Sequence, residues 1–568
     1  MKDRLKRLLK DSALWPLLKH VLPVYHRPLL GLLKARARFI LRPGIASRAN
    51  LARAYIKMAK SHIYENDLPN TIADCDKALA LDPTLAEALV ERGHARLRQS
   101  QDREAIADYE KALAVSGEVA EIHMHIGAAL MNGFDDPERL NEAARRYETA
   151  LKLEPRKPEY YARAVLTHRY AGRWEDVART WERGLKVQRE LSRERGLDKL
   201  GVRFLGESWL GSVGHVGAID YYIKMSRLGL QPAHRIVAAL RPGYRVHNRF
   251  HMDQWKPYVD FIESPAAIGL SWEDAGLLTD ELWGLTFPDG KTRWHVPAGI
   301  EVQKRWEAEK RPPLLRLPEA DAARGRACLE KMGLPRDAWF VSLHVRQPGY
   351  WKQLDAEHPT ARDADIDAYL PAIRAITEAG GWVIRMGDSS MKPLAAMERV
   401  VDYAHGPHKS EWMDVFLWAS CRFYLGTCSG AANVPPTYGV PCALTNWPLL
   451  GAPLWYGDIV YLPKVFRTKK EGRALGVSEV FAAGLGMQDY KGLFAHGGIE
   501  VLDNAAEEIE ALAVEMLDRG AKPSPEEAER QRRFEALIAS HGGYTAGTLG
   551  RDFLNRHPEL LDQELQRA

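Results

Sequence analysis

The spacing of apolar residues changes twice along the chain and divides it into three kinds of sequence. Leucines recur at helical spacing among basic residues near the start, a longer repeat follows, and short apolar runs alternate with helical patterns beyond residue 200. Helical and strand periodicities predict different elements, so each change marks a boundary. The predicted segments are a basic amphipathic leader (1–50), helical repeats (51–190), two α/β domains (191–330 and 331–480), and a C-terminal strand with helices that pack back on them (481–568).

Equivalent residues recur about every 34 positions between residues 51 and 190, as Ala78 and Ala112 illustrate. Each unit has an early small residue and, later, a large residue followed three positions on by a small one. The early small positions are Ala59, Gly93, Gly127 and Ala164 with Val165, and the later pairs are Cys75/Ala78, Tyr109/Ala112, Tyr147/Ala150 and Trp181/Gly184. Small residues let the two helices of a hairpin touch, and large ones fill the space between hairpins.

This pattern resembles an array of about four tetratricopeptide repeats, an all-α superhelix. The resemblance implies a surface that binds a peptide or a partner protein. An array of this kind can equally serve as a scaffold that only orients the flanking domains, and the sequence leaves both roles open.

Six short apolar runs predict buried strands beyond residue 200, at Val202–Leu205, Arg235–Ala239, Trp339–Val345, Trp382–Met386, Arg422–Leu425 and Pro441–Leu444. Helical segments such as Ile366–Glu378 and Met413–Ala419 lie between them. Strands that alternate with helices predict open parallel sheets. Because this region is too long for one Rossmann-like sheet, we predict two Rossmann-like domains with a boundary near residues 325–337.

A glycine-rich segment follows the first of these strands and leads into a helix. Gly211, Gly214 and Gly217 would let the backbone approach a ligand closely, and a helix N-terminus favours an anion or a hydroxyl-rich group. A carboxylate or an imidazole within hydrogen-bond reach of a hydroxyl can take its proton. The titratable residues of this segment are Glu207, His215 and Asp220.

Two further strands end in basic residues. One leads into His344 and Arg346, and the other contains Arg385. Ligands of parallel sheets bind outside the carboxyl ends of the strands. An arginine there can fork onto two phosphate oxygens, or it can pair with a structural carboxylate. We expect Arg346 to bind phosphate with Arg385 assisting, and His344 to position the strand end.

The segment GTCSGAANVPPTYGVPCALTNW (426–447) places hydroxyl groups after another strand. We expect Thr427, Ser429 and Gly430 to form a turn into a helix, where N–H groups and hydroxyls suit a pyrophosphate. Thr427 and Ser429 can also act as N-caps of that helix, and the two roles are compatible. The following strand ends near Asn446, which we place in the same cleft.

Taken together, these segments resemble bacterial glycosyltransferases that follow tetratricopeptide repeats and have a two-Rossmann (GT-B type) architecture. The matching motifs are GSVGH (211–215), HVRQPGYW (344–351), RDADIDAYLPAI (362–373), GGWVIRMGDSSMKPL (380–394) and VDYAHGPHKSEWMDVFLWASCRFYLGTCSG (401–430). His-Val-Arg is similar to the His-x-Arg signature of fucosyltransferases that bind GDP-fucose. The GTCSG turn resembles that of heptosyltransferases, although Cys428 stands where those enzymes have an acidic residue.

The resemblance implies transfer of a sugar from a nucleotide-sugar donor to a hydroxyl of a glycan, lipid-linked or protein acceptor, in cell-surface polysaccharide or glycoconjugate biosynthesis. The first α/β domain would take the acceptor and the second the donor. The first choice of general base is His215, followed by Glu207 and Asp220. The donor phosphates would be bound by Arg346, Arg385, Thr427, Ser429 and Gly430, with Gly211, Gly214, His344, Asp363, Asp365 and Asn446 elsewhere in the cleft.

Asp363 and Asp365 are further candidates for the base. Their Asp-x-Asp spacing has the form that holds a divalent ion on diphosphates in another transferase fold. They also open a predicted helix, where acidic residues interact favourably with the helix dipole. On that ground we expect no metal and no cofactor beyond the nucleotide-sugar substrate.

Two other functions remain open from the sequence. One is a tetratricopeptide adaptor whose transferase-like half is a catalytically inactive scaffold. The other is a different nucleotide-sugar enzyme, such as an epimerase.

Positive charge is concentrated at the start of the chain. The net charge is +4, with 79 Lys+Arg and 75 Asp+Glu, yet residues 1–50 hold 12 basic and only 2 acidic residues. Leu5, Leu8 and Leu9 share one face of a predicted helix, and Leu29 and Leu33 repeat the pattern. Such a leader lies on an anionic membrane surface or packs on the next domain. The remainder is net acidic and has no recognition motif, which excludes a nucleic-acid partner.

Cysteine usage and hydropathy bear on location. Five cysteines without a Cys-x-x-Cys pair indicate free thiols in a reducing compartment. No apolar run is long enough for a membrane span, and charged residues interrupt every candidate core of a signal peptide. We predict a cytoplasmic protein that is peripheral on the inner face of the cytoplasmic membrane if the leader binds lipid.

Overall fold

The computed structural model describes residues 26–41, 43–132, 136–171, 173–282, 284–289, 291–348, 361–451, 454, 456–486, 497–520, 522–544 and 546–561. The predicted leader helix that contains Leu5, Leu8 and Leu9 lies outside the described residues. Contacts divide the chain into two units, Met1–Gly184 and Leu185–Ala568.

The first unit consists of helices that pair along the sequence. In it, α2 packs on α3, α4 on α5 and α6 on α7, and each pair packs on the next. The predicted helical repeat is therefore confirmed. The helices are α1 (His26–Leu41), α2 (Ile45–Tyr64), α3 (Leu68–Leu81), α4 (Ala86–Arg98), α5 (Asp102–Ser116), α6 (Ala120–Met131), α7 (Pro137–Leu153), α8 (Pro158–Tyr170) and α9 (Trp174–Glu194), the last of which crosses the unit boundary.

Glycines allow the close helix contacts that the repeat requires. A Cβ atom on Gly93 would lie 2.5 Å from the ring of Tyr109, and one on Gly127 would lie 2.7 Å from the ring of Tyr147. Real Cβ atoms do not approach other atoms that closely, so only glycine lets these tyrosines fill the space. Two of the predicted small positions thus contact the predicted large residue of the same unit.

Residues 26–50 do not form a segment separate from the repeats. Helix α2 begins at Ile45, six residues before the predicted start of the array. Leu32 of α1 is buried in a cluster with Leu51 and Tyr55 of α2, and Arg36 donates hydrogen bonds of 2.9 and 2.6 Å to the Tyr55 hydroxyl. The alternative of a helix that packs on the next domain is correct for α1. Among the described helices, none combines the length and the apolarity needed to cross a bilayer.

The second unit contains two parallel sheets. One has the strand order β3-β2-β1-β4, and the other has the order β15-β12-β11-β10-β7-β8-β9. Every pairing in both sheets is parallel, as the alternating pattern predicts. The strands are β1 (Val202–Leu205), β2 (Arg235–Ala239), β3 (Asp260–Ile262), β4 (Thr279–Asp280), β7 (Phe340–His344), β8 (Trp382–Arg385), β9 (Val400–Val401), β10 (Tyr424–Thr427), β11 (Cys442–Trp447), β12 (Ile459–Pro463) and β15 (Thr548–Leu549).

Two antiparallel pairs and a set of helices complete this unit. One hydrophobic core, from Leu205 to Leu561, runs through both sheets and their helices. The antiparallel pairs are β5 (Gly284–Thr286) with β6 (Thr292–Trp294) and β13 (Val465–Thr468) with β14 (Ile499–Leu502). The helices are α10 (Val213–Arg227), α11 (Arg249–Asp253), α12 (Trp272–Leu277), α13 (His295–Ala308), α14 (Glu319–Lys331), α15 (Leu370–Glu378), α16 (Glu411–Ser420), α17 (Val477–Ala482), α18 (Ala506–Leu517), α19 (Pro525–Ser540) and α20 (Arg551–Arg556).

The C-terminal segment packs on the second sheet. Helix α18 contacts α15, β11 and β12, and β15 adds an edge strand beside β12. All five cysteines, each within the described residues, are free thiols.

We predict that Gly93→Ala destabilises the first unit. Its Cβ would overlap the Tyr109 ring, and overpacking of this kind costs about 1–3 kcal/mol, more than the gain of up to about 1 kcal/mol in helix propensity. Gly31→Ala in α1 is the matched control because open space surrounds that position, and it should stabilise the protein. Urea unfolding followed by far-ultraviolet circular dichroism measures both. Equal stabilisation by the two variants would contradict the packing.

Candidate functional site

The carboxyl ends of strands from both sheets lead into polar turns. The first sheet continues from β1 into a short 3₁₀ turn (Glu207–Trp209) and then into α10. The second sheet continues from β10 through Ser429 into another 3₁₀ turn (Gly430–Asn433). Since ligands of parallel sheets bind at the carboxyl edge, two segments of the unit are suited to hold one. They are residues 206–217, which extend into the start of α10, and residues 428–433, and we call them the two strand-end turns.

The two turns touch each other through glycines. A Cβ on Gly214 would lie 2.7 Å from the Cα of Gly430, and one on Gly217 would lie 2.8 Å from the carbonyl oxygen of Asn433. These two glycines make room for the other turn, which corrects the expectation that they make room for a ligand. Gly211 differs, because its nearest neighbours would be 3.7 Å away, at ordinary van der Waals distance.

His215 and Glu207 border Gly211. The His215 N–H donates a 3.2 Å hydrogen bond to the hydroxyl of Ser212, the N-cap of α10. A Cβ on Gly211 would lie 3.7 Å from both the His215 Nδ1 and the Glu207 carbonyl oxygen. Glu207 is exposed and His215 is partly buried. The imidazole therefore lies next to the contact between the two turns, as a group that takes a proton there would require.

Asp220 is fully buried and belongs to a structural network. Its carboxylate lies 2.5 Å from the ammonium of Lys224 and accepts a 3.3 Å hydrogen bond from the Tyr456 hydroxyl. Lys224 also donates a 2.8 Å hydrogen bond to Gln303. Burial raises the pKa of Asp220 above its usual range, while Lys224 opposes the shift. We withdraw Asp220 as a candidate base because no solvent-exposed surface reaches it.

Arg346 is held by Thr427 at the end of β10 and by Asp363 in the segment before residues 366–369. Its backbone N–H donates a 2.9 Å hydrogen bond to the Thr427 hydroxyl, and its guanidinium forms an ion pair with Asp363. Arg346 and Thr427 are both buried. The structural alternative, an arginine that pairs with a carboxylate, is therefore realised, and a phosphate would have to share the guanidinium with Asp363.

Ser429 contacts the end of β7. Its hydroxyl lies 3.2 Å from the Nδ1 of His344. Burial lowers the pKa of His344 to about 4, with the charges of Arg385 and Lys409 acting in the same direction and that of Asp388 opposing them. The imidazole is thus neutral at neutral pH and can exchange a hydrogen bond with the serine without adding positive charge.

The turn after β10 does not continue into the predicted α-helix. Gly430–Asn433 and Pro435–Tyr438 are separate 3₁₀ turns, since Pro435 and Pro436 lack the N–H donors that a continuous helix needs. Ser429 occupies the N-cap position, but its side chain is directed to His344, and Thr427 bonds Arg346 instead. The expected helix dipole is therefore absent at Gly430, and a phosphate there would rely on local N–H and hydroxyl groups.

Arg385 is fully buried and held by its own sheet. Its guanidinium lies 3.0 Å from Asp402 and donates bonds of 2.9 Å to the Lys392 carbonyl and 3.3 Å to Gln347. These contacts make Arg385 a structural residue, which corrects the expectation that it assists Arg346 on phosphate.

Asn446 is likewise structural. Its backbone N–H donates a 2.5 Å hydrogen bond to the side-chain oxygen of Asn504, and its own side-chain oxygen accepts a 2.7 Å bond from the Asn504 N–H. Its side-chain amide donates a 3.2 Å bond to the Tyr369 hydroxyl. Its φ of 52° lies in the left-handed region, which asparagine tolerates better than most residues. The predicted cleft position of Asn446 is not supported, because the residue is buried.

Asp363 and Asp365 have different partners. Asp363 pairs with Arg346, whereas Asp365 is exposed and accepts a 3.0 Å bond from the Asp367 N–H at the start of a 3₁₀ turn. The helix-start role proposed for Asp365 is confirmed. Within the part of the chain that the structure describes, no three His, Cys, Asp or Glu side chains form a group suited to a metal ion.

Two further polar residues, Glu281 and Lys464, lie at these carboxyl edges and were not predicted from the sequence. Glu281 follows β4, accepts a hydrogen bond from Ser208, and has a pKa raised by burial and by the charges of Asp280 and Glu207. Lys464 follows β12, pairs with Asp503 and donates a 3.4 Å bond to the Asp363 carbonyl. Their strands are short or were not predicted, so no sequence signal marked these strand ends.

Three of the solved structures that are similar to the chain match it over only part of its length. No protein-family model matches the chain, and no curated protein matches it in sequence. Among solved structures, the chain is similar to the crystal structure of MamA, with 17% identity over 28% of this chain and 89% of that chain and a TM-score of 0.24. The first TPR of Spaghetti (RPAP3) bound to an HSP90 peptide shares 21% identity over 21% of this chain and 91% of its own, with a TM-score of 0.20.

A third similar structure is the Arabidopsis OM64 TPR domain, with 17% identity over 21% of this chain and 97% of that chain and a TM-score of 0.20. The contacts within the first unit define the class independently: a helical repeat array whose chain continues into a parallel α/β unit.

Proposed function

We propose that the chain combines a protein-binding repeat array with a nucleotide-sugar-dependent glycosyltransferase. The protein-binding role is supported by the helical repeats of the first unit, and it has more support than the transferase role. The transferase role draws on the contact between the two strand-end turns and on the resemblance of the motifs around them.

The first helices of successive hairpins share a polar face. Lys60 of α2 lies 2.7 Å from Glu87 of α4, and the rings of His94 of α4 and His125 of α6 are 4.2 Å apart. Helix α2 contacts α4 directly. Because this face runs continuously across three helices and carries both charges and rings, it suits an extended peptide. We call it the first-helix face, defined by Lys60, Glu87, Glu91, His94, Glu121 and His125.

We predict that Lys60→Ala/Glu87→Ala weakens peptide binding by tenfold or more. The variant removes both members of the ion pair, and Glu91, which lies 3.5 Å from Lys60, keeps its 3.7 Å contact with His94. Exposed ion pairs contribute little to stability, so the fold should be unaffected. Peptides selected from a random library on the full chain are measured by fluorescence polarisation against wild type and variant. The control is Glu104→Ala/Lys111→Ala, an exposed, charge-matched change on α5. Equal affinity of the selected peptides for the first-helix variant would refute the proposal.

For the α/β unit, we propose that the two sheets belong to Rossmann-like domains and that a donor diphosphate binds where their turns meet. Ser429 and Gly430 would contact the phosphates, with Arg346 opposing the charge that develops on the leaving nucleoside diphosphate. His215 is the proposed base, and Glu281 is the alternative that the structure adds.

The proposed reaction breaks the bond between the sugar C1 and the phosphate oxygen and forms a bond from C1 to the acceptor oxygen. The sugar passes through an oxocarbenium-like state, as in glycoside hydrolysis. The acceptor proton moves to His215, and the nucleoside diphosphate leaves with the electron pair. A glycan, a lipid-linked sugar or a protein hydroxyl would serve as acceptor, and the free thiols accord with a cytoplasmic site of action.

One observation favours a second candidate, an adaptor with an inactive α/β scaffold. Three predicted site residues, Arg346, Arg385 and Asn446, already have partners inside the protein. Such internal pairing is what a scaffold without a ligand requires, and donor binding separates the two functions.

We predict that the full chain binds a nucleotide sugar and that Arg346→Lys weakens binding by tenfold or more. Lysine keeps the charge opposite Asp363, and thereby the fold, but it lacks the guanidinium fork that phosphate recognition uses. Calorimetry with uridine, guanosine, adenosine and cytidine diphosphate sugars identifies the donor, and Arg336→Lys at an exposed position is the control.

Absence of binding by every donor would favour the adaptor with an inactive scaffold. Unchanged affinity of Arg346→Lys would remove Arg346 from the site. Conversion of the donor without any acceptor would indicate an epimerase.

A further inference from the structure

Helix α1 has two apolar faces, and only one of them is used by the fold. Leu32, Ala35 and Phe39 pack on the cluster formed with α2 and α3. Leu29, Leu33 and Ile40 are exposed by 43%, 54% and 77%. These exposed residues are spaced four and seven positions apart, so they form one stripe along the helix. We call this stripe, with the adjacent exposed Leu41, the outer face of α1.

The outer face is bordered by positive charge. Its sequence, HRPLLGLLKARARFIL, contains no acidic residue. At 100° per residue, Lys34 and Arg38 lie about 20° and 60° beyond Leu41, and Arg36 lies about 20° beyond Leu29 on the other side. Lys34 and Arg38 are exposed, whereas Arg36 is held by the Tyr55 hydroxyl. A partner of this face must therefore be both apolar and anionic.

The geometry fits a lipid surface better than a peptide. Leu29 and Ile40 are eleven residues apart, which places the ends of the stripe about 16 Å apart on a rigid helix. A straight apolar stripe with a basic border is the pattern of helices that lie in the plane of a membrane interface, leucines among the acyl chains and lysines at the headgroups. The 12 basic residues against 2 acidic ones over residues 1–50 extend the positive field beyond the helix.

We propose that the outer face of α1 docks the protein on an anionic lipid surface, with the helix parallel to the bilayer. This role goes beyond the proposed interaction and transferase functions and does not depend on either. Because the inner face of α1 packs on α2, lipid binding would orient the repeat array on the membrane.

The test is co-sedimentation of the full chain with vesicles of phosphatidylcholine alone or with one third phosphatidylglycerol. Wild type should bind the anionic vesicles and lose binding as salt rises. Leu33→Gln/Ile40→Gln should bind at least tenfold more weakly because it removes the apolar stripe. Lys34→Gln/Arg38→Gln should do the same by removing the charge. Val115→Gln/Leu153→Gln, a pair of exposed apolar residues elsewhere in the array, is the control and should bind like wild type.

Three results would overturn the proposal. In the first, both α1 variants bind as wild type does, which would assign any lipid binding to other residues. In the second, neutral and anionic vesicles bind equally. In the third, the protein binds no vesicle, and light scattering shows that wild type self-associates whereas Leu33→Gln/Ile40→Gln does not. That result would make the outer face of α1 a contact between two copies of the chain. Far-ultraviolet circular dichroism confirms that the variants keep the fold.

Discussion

Both units depend on close contacts at glycines, where a larger side chain would not fit. In the repeat array, Gly93 and Gly127 yield the space that Tyr109 and Tyr147 occupy. In the α/β unit, Gly214 yields the space that the backbone of Gly430 occupies. Since protein interiors are close-packed, one added methyl group at such a position must displace its neighbour. Glycines therefore allow two helices to pack closely in one unit and two strand-end turns to touch in the other.

The contact between the turns explains why polar groups from distant parts of the sequence meet. Gly214 and Gly430 are separated by more than two hundred residues, yet their contact joins the segment that carries His215 to the segment that carries Ser429, and Ser429 bonds His344. Arg346 and Thr427 follow on the same edge of the second sheet. The carboxyl ends of parallel strands lie at the same edge of a sheet, so the turns that follow them are neighbours on one surface.

Local patterns allowed much of the fold to be predicted. The repeat was visible because its small and large residues are close in sequence, and the strands β1 and β2 were bounded correctly because each is a short, mostly apolar run. Strands β3 to β6 are two or three residues long, too short for a periodic pattern to appear. Short length does not account for β12 (Ile459–Pro463), a five-residue apolar run that was not predicted.

The site was harder to predict than the fold because long-range partners decide what a polar residue does. Asp220 and Lys224 are four apart on one helix, and that spacing could have indicated their ion pair. Nothing local indicated that Asn446 would bond Asn504, 58 positions later, or that the Arg346 guanidinium would pair with Asp363. Residue type marked the right strand ends, but only the tertiary contacts distinguished exposed groups from structural ones.

We propose that the ligand site of the α/β unit depends on the contact between the two strand-end turns. The most direct measurement compares donor affinity in Gly214→Ala and Gly211→Ala by calorimetry. The Gly214 variant drives a Cβ into the Gly430 backbone, whereas the Gly211 variant meets only ordinary contacts. We expect at least tenfold weaker binding for Gly214→Ala and wild-type affinity for Gly211→Ala. Equal affinity in the two variants would contradict the proposal.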